Sequence, residues 1–139
     1  ILNHQNNSMI LFHGREYGKK IYNRLRDLSS DREIYFVDGN TPVDRREYFQ
    51  AEMENGTNKL LVASFGTSST GINIKNIHNL FLCESFKSDT IIRQTIGRGL
   101  RLHELKDVLN IVDYVDDFSW KSWKNYLIHL IIIFKTSSI

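Results

Sequence analysis

The chain has 139 residues, 41% hydrophobic and 24% charged, with a formal net charge of +2. These proportions fit one globular domain with a real core, and they exclude disordered, fibrous and disulfide-stapled chains, since Cys83 is the single cysteine. Near-neutral bulk charge gives no support for nucleic-acid binding, which would need a local basic patch. A lone thiol in an apolar stretch fits the reducing cytoplasm, and the first residues carry no charged-then-apolar leader. The first residue is Ile1 rather than Met, so a piece of a longer protein is expected.

Apolar runs alternate with helical patterns along the chain. Met9 to Phe12 predicts a short buried strand ending at His13-Gly14. Glu16 to Leu28 follows as an amphipathic helix with Tyr17, Ile21, Leu25 and Leu28 on one face. Ile34 to Val37 predicts a second strand. Thr41 is then placed to N-cap a helix with Pro42 at its first position, running to about Glu54 and stopping at Asn55-Gly56. Lys59 to Ser64 predicts the third strand, followed by a polar loop from Gly66 to Gly71. Leu80 to Cys83 predicts the fourth. Ser88 or Asp89 is expected to cap a helix carrying Gln94, Arg98 and Arg101. Val108 to Val115 predicts a fifth strand, and Phe118 onward a final helix. Within it, Leu127 to Phe134 is apolar on all sides but too short to span a bilayer, so no membrane role is expected. Strands that are continuously apolar and alternate with helices predict an α/β domain, a mainly parallel sheet with helices on both faces. No repeat or internal boundary breaks residues 1–139.

In an open sheet of this kind ligands bind beyond the carboxyl ends of the strands. The loop after the third strand is the richest there, with four hydroxyls and two glycines that could cradle a phosphate. Gln94-Thr-Ile-Gly-Arg-Gly-Leu-Arg101 places Gln94, Arg98 and Arg101 at i, i+4 and i+7 of a helix, on one face. Two guanidiniums so placed suit a phosphoryl group. Gly97 and Gly99, each costing about 1 kcal/mol in a helix relative to Ala, suggest close approach of a ligand or another backbone. Taken alone, the same residues also read as a solvated basic helix. The chain has no Gly-x-x-x-x-Gly-Lys-Ser/Thr loop, no dinucleotide fingerprint, no nucleophile-base arrangement and no metal-ligand spacing. Asp113, Asp116 and Asp117 read as caps and surface carboxylates. The residues by themselves offer phosphate-binding parts without a complete active site.

In order along the chain, four segments resemble the second RecA-like domain of superfamily 2 helicases. Ser8-Met-Ile-Leu-Phe-His-Gly14 is similar to motif IV, and Gly39 to Arg46 to the Gly…Arg stretch after it. Leu60 to Ile74 resembles motif V, and Gln94 to Arg101 resembles motif VI, Gln-x-x-Gly-Arg-x-x-Arg. The wording is nearest that of phage helicases of the UvsW type. The resemblance covers about residues 9–115 and leaves 116–139 as a helical tail.

It implies a RecA-like three-layer fold and the C-terminal half of an ATP-dependent DNA helicase or translocase. Arg98 and Arg101 would be arginine fingers for the γ-phosphate of ATP, and Gln94 a nucleotide sensor. Gly71 would allow the motif V turn. Asn73 would stand near the nucleotide where many relatives carry Asp, able to hydrogen-bond a ribose. Thr67, Ser68, Gly14 and Arg15 would contact the nucleic-acid backbone, DNA first and RNA as the alternative. ATP with Mg2+ would be held mainly by an N-terminal RecA-like domain of the same protein, so this chain alone is expected to be inactive as an ATPase. A non-enzymatic nucleic-acid-binding or regulatory module is the rival reading, and a self-contained nucleotide-binding protein a third.

Overall fold

A computed structural model describes residues 1–29, 31–84 and 89–114. Five strands, β1 (Ser8–Phe12), β2 (Ile34–Val37), β3 (Leu60–Ser64), β4 (Asn79–Leu82) and β5 (Asn110–Asp113), alternate with four helices. The helices are α1 (Arg15–Leu28), α2 (Val43–Asn55), α3 (Phe65–Gly71) and α4 (Asp89–Gly99). The strands form one sheet in the order β2-β3-β1-β4-β5, and every neighbouring pair is parallel.

All five residues of β1 are buried, as are all four of β4. Strands apolar on both faces must be covered on both, which is the condition that selects a parallel sheet between helix layers. The chain steps from β1 outward to β2, then returns through β3 and past β1 to β4 and β5. One crossover therefore runs one way along the sheet and three run the other. With right-handed crossovers, α1 must lie on one face and α2, α3 and α4 on the other. The two cores agree. Ile10, Phe12, Leu60, Val62 and Phe81 pack with Leu25 and Ile21 of α1. Met9, Leu11, Leu61, Ala63, Leu80 and Leu82 point the opposite way, toward Met53, Phe65, Ile92 and Ile96 of the other three helices.

Local chemistry explains most of the element ends. Gly56 closes α2, its N–H donating to Glu52 O at 3.0 Å, as the Asn55-Gly56 signal predicts. At the amino end of the sheet, buried Asn7 and Asn76 both donate through Nδ2 to the carbonyls of Met53 and Gly56. That gives the end of α2 the partners its unpaired carbonyls need.

Three expectations are corrected. Thr41 does not cap α2: Pro42 holds the N-cap position without a side-chain bond. The Thr41 hydroxyl instead accepts from Asp38 N–H at 3.0 Å and donates to Asp38 Oδ1 at 3.1 Å, because the nearer Asp38 turn claims it. The polar loop after the third strand is the short helix α3. Ser64 Oγ caps it by accepting from Thr67 N–H at 3.4 Å, and burial of Phe65 anchors its start. The fifth strand begins at Asn110 rather than Val108, which is 65% exposed. The final helix and the apolar stretch from Leu127 to Phe134 lie outside the described residues.

Gly18 lies buried in α1, and a Cβ built there would stand 2.5 Å from the ring of Phe12. Phe12 is fully buried and stacks on Phe36, so the ring has nowhere to move. Alanine at position 18 would gain about 1 kcal/mol in helix propensity and lose about 1–3 kcal/mol to overpacking. Gly18→Ala is expected to lower stability by up to about 2 kcal/mol, measured by denaturant unfolding; a raised midpoint would contradict the packing described.

Candidate functional site

Adjacent strands whose following helices go to opposite faces open a crevice at their carboxyl ends. Here that occurs on both sides of β1, since α1 covers one face while α3 and α4 cover the other. The ends of β1, β3 and β4 therefore share one edge, and two clusters of polar side chains sit on it.

The first cluster surrounds the start of α1. Gly14 is the N-cap residue, with no side chain of its own to satisfy the first amides. Glu84, just past β4, supplies the acceptor: its Oε2 takes the N–H of His13 and, at 3.1 Å, that of Gly14. Arg15 points toward the end of β2, where its Nε donates to Asp38 Oδ2 at 2.6 Å. Asp38 is 6% exposed and also accepts from the Asn40 amide and the Thr41 hydroxyl. Burial by itself would raise the Asp38 pKa. The bond from Arg15 and those from Asn40 and Thr41 outweigh it and hold the carboxyl below its ordinary value.

The second cluster lies where α4 meets α3. Helix α4 buries Ile92, Thr95, Ile96 and Gly99, an i, i+3, i+4, i+7 stripe. The stripe turns Gln94 to solvent and brings half-buried Arg98 over the end of α3. Arg98 Nη1 donates to Ser68 O at 2.6 Å and to Ile72 O at 3.4 Å. Helix α4 ends at Gly99, so Arg101 is not on the helical face expected from the spacing. A turn closed by Arg101 N–H to Arg98 O, 3.2 Å, carries it back, and its Nη1 donates to Asn73 Oδ1. Both guanidiniums thus converge on residues 68–73, and the oxygens that receive them are all neutral.

The glycines flanking Arg98 differ in their surroundings. A Cβ at Gly99 would stand 2.8 Å from Leu109 Cδ2, so the close approach is to a neighbouring side chain. At Gly97 nothing lies within 4 Å, and that side of the helix is open. Beneath Arg98 a cavity of about 20 Å³ is bordered by Ser68, Ile72, Thr95 and Gly99. Ser68 Oγ is buried there without a hydrogen-bond partner, beside room for roughly one water.

Of the residues singled out from sequence, Arg98, Arg101, Asn73 and Ser68 are brought together, with Gly71 as the last residue of α3. Gln94 shares the helix but faces outward. Thr67 is buried, its hydroxyl 2.7 Å from Ser64 Oγ. Gly14 and Arg15 form the separate cluster at α1. Sequence reading missed Glu84 and Lys106. Lys106 is 7% exposed, and its Nζ donates to Gly99 O at 2.6 Å and Lys75 O at 2.5 Å. Desolvation pulls its pKa below the ordinary lysine value, against the attraction of Glu54. Neither residue has a local sequence signal, since each meets partners brought near by folding. Among the described residues no group of three or more His, Cys, Asp or Glu could hold a metal ion, and no helix is long and apolar enough to cross a membrane.

Comparison with known proteins gives consistent matches. The helicase conserved C-terminal domain family matches residues 1–103. The ATP-dependent DNA helicase UvsW of Enterobacteria phage T4 is 34% identical over 115 residues, which is 83% of this chain and 22% of that protein. The crystal structure of T4 UvsW superposes with a TM-score of 0.65, covering 80% of this chain and 22% of that one at 34% identity. The structure of Saccharomyces cerevisiae Dbp5 bound to RNA and ADP BeF3 shares the fold, with a TM-score of 0.67 at 16% identity over 99% of this chain and 34% of that one. This chain therefore spans about a fifth of the phage helicase it matches.

The Arg15–Asp38 contact carries its own pH dependence. Folding lowers the Asp38 pKa, so the associated stability is whole above the ordinary carboxyl value of 3.8 and is lost as pH falls through the lowered one. Asp38→Asn is expected to flatten that acid limb, read as the change in unfolding midpoint between neutral pH and pH below 3.8. Parallel limbs in the two proteins would show that the carboxylate is not held by folding.

Proposed function

This chain belongs to the helicase conserved C-terminal domain family, and we propose that it is the second RecA-like half of an ATP-dependent DNA helicase or translocase acting in the cytoplasm. One observation carries the reading: Arg98 from α4 and Arg101 from the turn after it converge on one edge of the sheet, and among the described residues their partners are neutral oxygens. A guanidinium held only by carbonyl and amide oxygens keeps its full charge available to an anion, and exchanging those oxygens for a phosphoryl group gains a charge-assisted, bidentate contact.

On this reading Arg98 and Arg101 are arginine fingers. They reach across a cleft to the γ-phosphate of ATP, which an N-terminal RecA-like domain of the same protein holds together with Mg2+. Their contribution is electrostatic, since the cations stabilise charge on the transferring phosphoryl group. The open side of α4 at Gly97 leaves room for that facing domain. Exposed Gln94, one turn before Arg98, reports the state of the nucleotide. Asn73 holds Arg101 in the resting arrangement and offers a neutral hydrogen-bonding group toward the ribose. Gly71 ends α3 so that the chain can turn into residues 72–74.

The nucleic-acid strand runs along the same edge of the sheet. Thr67 and Ser68 at α3, with Gly14 and Arg15 at α1, contact its sugar-phosphate backbone. Support for Gly14 comes from the carboxylate to which its N–H already donates: amides that bind Glu84 are amides suited to an anion. Phosphate contacts of this kind position a strand without reading its sequence.

In the full-length protein, Arg98→Ala or Arg101→Ala is expected to lower nucleic-acid-stimulated ATP hydrolysis by roughly 10³–10⁵ while leaving ATP binding largely intact. Turnover at the wild-type rate in both variants would overturn the finger assignment. The isolated chain of 139 residues is expected to show no ATP hydrolysis above background in a phosphate-release assay; measurable turnover would place a complete active site within it.

A further inference from the structure

We propose that Lys106 is a positioning residue for Arg98 and Arg101: its ammonium pins the end of α4 to the segment both arginines touch, and keeps the two joined when the arginines turn to a phosphoryl group. The inference rests on the arginine-finger reading above.

Lys106 is 7% exposed, and it reaches inward from a turn rather than from a helix or strand. The turn is fixed by Lys106 N–H to His103 O at 3.0 Å and by Leu105 N–H to His103 Nδ1 at 3.2 Å. From there Nζ donates to two carbonyls, Gly99 O at 2.6 Å and Lys75 O at 2.5 Å. Gly99 O is at the carboxyl end of α4, where unpaired carbonyls and the helix dipole favour a cation. Lys75 O belongs to the connection that leaves α3 for β4.

The placement of those carbonyls carries the inference. Gly99 directly follows Arg98 and stands two residues before Arg101. Lys75 stands two residues after Asn73, the partner of Arg101, and three after Ile72, a partner of Arg98. Lys106 therefore bridges the same two segments as the arginines, just outside their contacts. When Arg98 and Arg101 serve a phosphoryl group they leave Ser68 O, Ile72 O and Asn73 Oδ1. Lys106 does not have to leave, because its donors are committed to two backbone carbonyls that are not part of either arginine's contacts.

The surroundings secure this post. Glu54, at the end of α2, accepts from Lys75 N–H at 2.7 Å and Asn76 N–H at 3.2 Å, and its other oxygen stands 3.7 Å from His103 Nε2. The loop that Lys106 grips is thereby held by Glu54 as well. Burying an ammonium is costly, and an apolar residue of similar size would fill the space at less expense. Two aimed hydrogen bonds are what the lysine provides and an apolar side chain cannot.

The test uses the full-length protein, with a single-stranded DNA oligonucleotide as activator and ATP hydrolysis, ATP KM and thermal unfolding as readouts. Lys106→Met keeps the length of the side chain and removes its donors. It is expected to lower kcat roughly tenfold to a hundredfold, the scale of a small misplacement of a reacting group, with ATP KM within about threefold and little change in melting temperature. Lys106→Arg, which retains a cation with several donors, is expected to restore most of kcat. Should Lys106→Met fail to fold, Lys106→Gln serves in its place, keeping one neutral donor and an intermediate kcat. Wild-type kcat in Lys106→Met beside an inactive Arg98→Ala would overturn the positioning role alone. A loss shared equally by kcat, KM and melting temperature, unrelieved in Lys106→Arg, would overturn it in favour of a scaffold residue. Wild-type turnover in Arg98→Ala would remove the arginine reading and this inference with it.

Discussion

A strand that is apolar on both faces has to be flanked and covered on every side, and β1 imposes that requirement on the whole chain. Met9 and Leu11 face one core while Ile10 and Phe12 face the other. β3 and β4 take its two edges, in register from Ser8↔Leu60 and Ser8↔Asn79. Once β1 is central, handedness allots α1 to one face and the remaining helices to the opposite one. The polar edge where α1, α3 and Glu84 meet follows from that allotment. Chemistry gathers there because one strand must be buried twice over.

Two ways of holding a cation coexist on this edge. Arg15 is paired with a carboxylate, and the amides at the start of α1 are satisfied by another. Arg98, Arg101 and Lys106 are satisfied by carbonyl and amide oxygens. A carboxylate partner neutralises a charge, whereas a carbonyl orients it and leaves it uncompensated. The second arrangement would suit groups that meet a phosphoryl oxygen, and on the proposed reading the lysine among them would stay with the fold when the arginines depart.

Much of this was legible in the sequence. The strands announce themselves as continuous apolar runs, and the helix carrying Arg98 by the spacing of Gln94 and Arg98. The Gln94 to Arg101 octapeptide, read with the segments before it, indicated the family, but not that Gln94 faces outward or that Arg101 meets Arg98 through a turn past Gly99. Other features were hidden for identifiable reasons. Helix α3 is built from Gly, Ser and Thr, which favour loops, and its helical state depends on the Ser64 cap and the burial of Phe65. The Ser64-x-x-Thr67 spacing was a usable clue. Thr41 looked like a cap because its rival, Asp38, competes only once the turn has formed. Glu84 and Lys106 act through partners 70 and 31 residues away, and no local pattern encodes such meetings.

The mixture of partners has a consequence in ionic strength. Arg15 is 51% exposed, so beyond its direct bond to Asp38 its charge acts on more distant groups through solvent, where salt screens it over about 8 Å under physiological conditions. Lys106, only 7% exposed, points at oriented dipoles, and Arg98 is half-buried. Added salt therefore reaches the exposed charge of Arg15 more readily than the buried ammonium at the junction of α3 with α4. The two clusters along one edge of the sheet answer to different solvents, one to the ionic atmosphere and the other to the protein interior.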